Sequence, residues 1–167
     1  MVKKYNKHII KTRQIIENQQ QFEQLITDIA SKIAQTKPDQ FEAVINEVLR
    51  ILGQFFHVRL AFLTQFSKNL NKLHFTNIWV DELIRSDTDL SGLSNEEQLS
   101  QRLESYGITD GIVVPICVEG KLVGLLGLDA FTRPCEYPLA NADRLQIIAN
   151  MIGSMIIRIQ KTNPYCE

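Results

Sequence analysis

The chain has 167 residues, 44% of them hydrophobic, a formal net charge of -1 and three cysteines, which suits one globular domain with a helix to spare. Scattered Lys and Arg leave none of the basic footprint of a nucleic-acid binder, and no apolar run approaches the roughly 20 residues that cross a bilayer. Cys117, Cys135 and Cys166 are odd in number and far apart, so they set up neither a disulfide framework nor metal-ligand spacing. The start, "MVKKYNKHIIKTRQIIENQQQ", lacks the apolar core of a secretory signal, and a cytoplasmic protein is the expectation.

Lys11 to Gln35 is polar, long-chained and free of Gly and Pro, a composition that favours helix. Ile15, Phe22 and Ile29 fall seven apart, with Ile26 and Ile33 interleaved. That is close to a coiled-coil seam, weakened at Thr12 and Gln19. Pro38 interrupts the pattern and Asp39 is placed to cap the next helix. This second helix is predicted over Gln40 to Phe56, with Phe41, Val44, Ile45, Val48, Leu49 and Leu52 on one stripe.

The period then changes. "VRLAFLTQF" and "KLHFTNIW", joined by "SKNLN", read as an antiparallel pair of strands. Ser94 to Tyr106 reads as a short helix, with Ser94 and Glu97 spaced as a capping box. "IVVPICV" and "LVGLLGL" flank Glu119–Gly120, a two-residue turn whose glycine suits positive φ. Both runs are apolar on both faces, which predicts central strands covered on two sides. Pro115 marks a bulge or an edge position. "ADRLQIIANMIGSMIIRIQK" closes with a wide helical stripe: Leu145, Ile148, Ala149, Ile152, Met155, Ile156 and Ile159. The order of elements predicts an α+β fold, an antiparallel sheet with helices packed on its faces and an N-terminal helix extension.

"GIVVPICVEGKLVGLLGLDAF", followed by a proline-containing loop and "ADRLQIIANMIGSMI", resembles the C-terminal half of GAF domains, sensory modules of bacterial signalling proteins. "FEAVINEVLRILGQFFHVRLAFLTQF" is similar to their first half and "LHFTNIW" to their second strand. On this resemblance residues 1–37 are a helical extension, 38–161 a GAF-like domain and 162–167 a tail. The resemblance implies an antiparallel sheet sandwiched by helices and a small-molecule ligand such as a cyclic nucleotide or bilin, or none. It also implies pairing through terminal helices as a homodimer, and an output kinase, cyclase or other signalling domain in the same or another chain. The segment from Trp79 to Ser105 is shorter than the family usually has, and Tyr137 stands where a Trp is common. That shortening supports a ligand-free dimerisation scaffold as the alternative reading.

Candidate chemistry is sparse. Free methionine sulfoxide reductases are GAF-fold enzymes, but their cysteines lie mainly before the Val-Pro strand, and Asp81 to Gly111 holds none. Cys117 reads as a small buried hydrophobe, so no catalytic residue is assigned and the module is read as non-catalytic. No cysteine has a histidine beside it for bilin attachment, and "NKLHF" shares only two residues with the cyclic-nucleotide signature. His57 and His74 stand alone, so no metal is predicted, and no cofactor is required. Thr76 and Trp79, read as alternate positions of the second strand, would point to one face and line a pocket with Asp129, although Asp129 also suits a plain strand end. For the dimer, the helical stripes nominate Ile15, Phe22, Ile26, Ile29 and Ile33 at one end, and Ile152, Met155 and Ile159 at the other.

Overall fold

The computed structural model describes residues 2–66, 73–82, 111–131 and 138–162. The chain divides into two compact units, residues 1–35 and 36–167. The first is helix α1, Val2–Gln35. Its exposed side chains pair one turn apart: Arg13 with Glu17 at 3.0 Å, Gln24 with Asp28 at 2.9 Å. Each such pair adds about 0.2–0.5 kcal/mol to a helix.

The second unit starts with a 3-10 turn, Pro38–Gln40. Asp39, expected to cap the next helix, lies inside this turn. The Gln40 side chain instead accepts a hydrogen bond from the Lys37 N–H at 3.3 Å. Helix α2, Phe41–Phe56, buries Ile45, Val48, Leu49 and Leu52 of the predicted stripe together with Phe56, while Phe41 and Val44 of that stripe are half-buried. It ends at His57, whose left-handed backbone (φ 54°) turns its N–H back to the last turn of the helix, the usual geometry of a helix C-terminus.

Four strands follow: β1 (Val58–Phe66), β2 (Leu73–Val80), β3 (Gly111–Val118) and β4 (Lys121–Phe131). They form one antiparallel sheet in the order β2-β1-β4-β3. Glu119 (φ 51°) and Gly120 (φ 78°) both take positive φ, the signature of the primed turn that matches strand twist in a two-residue hairpin. Helix α3, Pro138–Thr162, closes the unit. Its buried apolar side chains include Leu145, Ile148, Ala149, Ile152, Met155 and Ile156.

Helices α2 and α3 cover the same face of the sheet, α2 over β1 and β2, α3 over β3 and β4. That inner face is made of matched rows across the register: Trp79–Ala61–Leu128–Ile112, then Asn77–Leu63–Leu126–Val114. Asn77 is buried there, and its side-chain amide donates to the Asn46 side chain of α2 at 2.9 Å.

One expectation is corrected. The two hairpin strands are expected to be central, with both faces covered. β4 is central, but β3 lies at the margin of the sheet among the described residues. Its inner side chains Val114 and Ile116 are buried, while Val113, Pro115 and Cys117 on alternate positions are exposed. Pro115, which lacks a ladder N–H, fits that margin, and the register shifts between Ile116 and Cys117. The predicted helix over Ser94 to Tyr106, its capping box, the "SKNLN" turn, Tyr137, Cys135 and Cys166 lie outside the described residues.

Candidate functional site

With α2 and α3 on one side, the opposite face of the sheet is a functional candidate. Strand alternation sets its composition. Register gives it three rows: Val80–Leu60–Asp129–Gly111, Ile78–Phe62–Gly127–Val113, and Phe75–Thr64–Leu125–Pro115. Leu60 and Val80 are buried, with Phe62, Phe75 and Ile78 packed against them. Phe62 and Phe75 meet edge to face, centroids 5.3 Å apart at 70°, a favoured geometry for aromatic pairs. Gly127 has no side chain, and the Phe62 ring lies over it; a Cβ there would overlap the ring. Towards β3 the same face carries Val113, 51% exposed. The result is an apolar, aromatic floor with one half-buried carboxylate, Asp129, on its first row.

Phe75 and Ile78 are three residues apart yet share this floor. A bulge explains it. Leu63 pairs with Asn77 and Thr64 with Phe75, leaving Thr76 as the extra residue. The bulge re-aims every side chain before it, a feature that the apolar-polar pattern alone does not reveal.

The three residues nominated for a pocket are not brought together. Thr76 is the bulge residue, and its hydroxyl donates to the Leu63 carbonyl at 3.3 Å. Trp79 points to the inner face, into α2. Gly53 of α2 receives it: a Cβ at that position would overlap the indole, so the largest side chain sits against the smallest. Asp129 points to the outer face, its carboxylate close to Gly111 of β3. Cys117 is also corrected. It is exposed, not a packed core residue, because it occupies an outer-facing position of the marginal strand.

The outer floor is mechanically tied to α3 through β3. The Gln146 side chain of α3 donates to the Pro115 carbonyl at 2.9 Å and to the Asn150 side chain at 3.0 Å. Further along α3, Gly153 lets the helix approach β3, with an ideal Cβ 3.2 Å from the Cys117 carbonyl oxygen and 3.3 Å from Ile116 Cγ2. Near the end of α3, Arg158 donates to the Thr36 carbonyl at 3.2 Å. Thus one continuous helix contacts the marginal strand and the residue that follows α1 in the chain. Of the dimer candidates on α3, Ile152 and Met155 are buried and Ile159 is half-buried. On α1, Ile15 is 54% exposed, as are its neighbours Ile9, Ile10 and Ile16 to a similar degree. Phe22, Ile26, Ile29 and Ile33 continue the stripe towards the C-terminal end of that helix.

The family model described as GAF domain matches residues 40–156, most of the chain. The chain belongs to the GAF domain family. Solved structures agree at the level of fold. The phycoerythrobilin-bound GAF domain of a cyanobacterial phytochrome superposes with a TM-score of 0.63 at 11% identity, covering 85% of this chain and 97% of that one. The free methionine-R-sulfoxide reductase of Neisseria meningitidis, solved with its substrate, gives 0.62 at 12% identity, covering 84% and 91%. The A. aeolicus nlh2 GAF domain in an inactive state gives 0.59 at 15% identity, covering 84% and 98%. No curated protein matches the chain. No described helix of this GAF domain is long and apolar enough to cross a membrane.

Proposed function

We propose that this GAF domain is a non-catalytic sensory module that binds a small molecule on the outer face of its sheet and works as a homodimer. The observation that carries the reading is the apolar floor of Leu60, Phe62, Phe75, Ile78 and Val80, built on the face opposite α2 and α3. The same fold carries phycoerythrobilin in a cyanobacterial phytochrome. Asp129, half-buried on the first row of that floor, supplies a hydrogen-bond acceptor for the ligand.

The output runs through helices. Pro115 belongs to the outer face by its register and to α3 by its carbonyl, so a ligand that moves β3 moves α3. A ligand shifts the module only as far as its affinity differs between two arrangements. In this scheme α1 pairs with the α1 of a second copy through Ile15 and its exposed isoleucine neighbours, and the pair passes the shift to a kinase, cyclase or other output domain. The methionine sulfoxide reductase reading is not favoured: Asp81 to Gly111 holds no cysteine, and a resolving thiol is needed beside the attacking one.

The test is extraction. Purified protein is denatured, its small molecules are measured by mass spectrometry, and wild type is compared with Val113→Arg. This substitution changes an exposed side chain of the outer face and leaves the core alone. A recurrent mass in wild type that the variant loses supports the site. A mass carried equally by both places the ligand elsewhere.

A further inference from the structure

A cleft of about 780 Å3 opens on the inner side of the sheet, between α2 and the ends of β1 and β2. It lies around the end of β2 from the outer floor, and Val80 of that floor is at its edge. The volume falls within the roughly 300–1,000 Å3 of small-molecule sites. Its walls include Glu47, Arg50, Trp79, Asp81 and Glu82.

The charge of this lining is unbalanced in one direction. Arg50 is already matched: its Nε and Nη2 donate to the two Glu47 carboxylate oxygens at 2.8 and 2.7 Å, and Nη1 donates to the Gln54 side chain at 2.8 Å. These bonds and the Glu47 charge raise the Arg50 pKa, so it stays protonated and committed to Glu47. Among the described residues of the lining, one arginine against three carboxylates leaves a charge of -2, carried by Asp81 and Glu82. The Asp81 N–H is used by the Arg59 carbonyl at 2.9 Å, which fixes the backbone that presents both acids. Beside them lies the half-buried indole of Trp79, anchored at Gly53.

An aromatic wall next to two carboxylates in a concave site suits a cation with an apolar body. Ring quadrupole and negative charge attract the same ligand, and the indole is the best of the aromatic partners. We infer that this cleft is a second binding site, for a small organic amine or quaternary ammonium ion, with its charge on Asp81 and Glu82 and its apolar part against Trp79. The inference does not depend on the outer-face ligand.

Trp79 is the single tryptophan of the chain, so its fluorescence and its indole N–H signal in NMR come from a wall of this cleft. The intact protein is titrated at low ionic strength with choline and with putrescine. The control is 3,3-dimethyl-1-butanol, which has the shape of choline without its charge. A second series uses the double variant Asp81→Asn, Glu82→Gln, whose fold is checked by circular dichroism; neither position is buried. The expected result is a saturable change in the Trp79 signals with at least one cation, none with the neutral alcohol, and affinity about ten-fold weaker in the double variant. No saturable change in either signal with both cations overturns the inference. So does an equal response to the alcohol, or a folded double variant that binds as wild type does.

Discussion

Replacing Gly53 by alanine tests how α2 sits on the sheet. The new Cβ would overlap the six-membered ring of Trp79 at Cζ3 and Cε3, so either the indole or the helix must move. In an exposed helix the same change would stabilise by about 1 kcal/mol through helix propensity. Overpacking a filled site costs about 1–3 kcal/mol, and a rigid ring is a neighbour that gives little. The net effect is destabilisation by about 1–2 kcal/mol, a drop in thermal midpoint of roughly 2–8 °C for a domain of this size. Because Trp79 is the only tryptophan, its emission shifts with the same substitution. Adding Trp79→Val to Gly53→Ala removes the ring and recovers part of the loss, a coupling that a double-mutant cycle measures. An alanine variant with an unchanged or higher midpoint and unchanged emission would refute the close approach of helix and ring.

Other expectations bear on other parts of the molecule. Ile148→Ala, at a fully buried position of α3, costs about 2–5 kcal/mol of stability in chemical denaturation, as a large-to-small core change does. Gly120→Ala keeps ample room for its methyl group but forces an L-residue to φ 78°, and lowers stability by about 1 kcal/mol through backbone strain alone. Gln146→Ala removes the hydrogen bond to the Pro115 carbonyl and costs about 0.5–1.5 kcal/mol; faster amide exchange in β3 than in β1 is its specific mark. Ile15→Asp weakens self-association measured by light scattering without lowering the thermal midpoint of residues 36–167, whereas an unchanged dimer would exclude the N-terminal part of α1 from the interface. Cys117→Ala leaves any activity towards free methionine sulfoxide at the level of wild type, and a loss would reopen the reductase reading.

Much of the architecture is legible in the chain because it rests on period and punctuation. The α2 stripe, the Glu119–Gly120 turn and the closing α3 stripe each follow from spacing that physics ties to one local structure. The outer floor is less legible. Its key device is the bulge at Thr76, and a single extra residue leaves no mark on hydrophobic content while it redirects Phe75 relative to Ile78. Thr76 and Trp79, nominated for one pocket, are three positions apart, an odd spacing that sends side chains to opposite faces even in a regular strand. Asp129, nominated with them, belongs to the outer row of Leu60. Cys117 is misplaced by sequence pattern for a related reason: an apolar run looks alike in a central strand and in a marginal one, and only Pro115 hints at the margin. The match of Trp79 to Gly53 has a signal in the sequence, a glycine inside an otherwise strong helix, since such a residue usually has a packing reason.

Whether this GAF domain pairs and holds a small molecule is read by native mass spectrometry of freshly purified protein, followed by denaturing mass spectrometry of the same sample. The expected result is a dimer whose native mass exceeds twice the chain mass by a non-covalent ligand that disappears on denaturation. A monomer with nothing bound would contradict it.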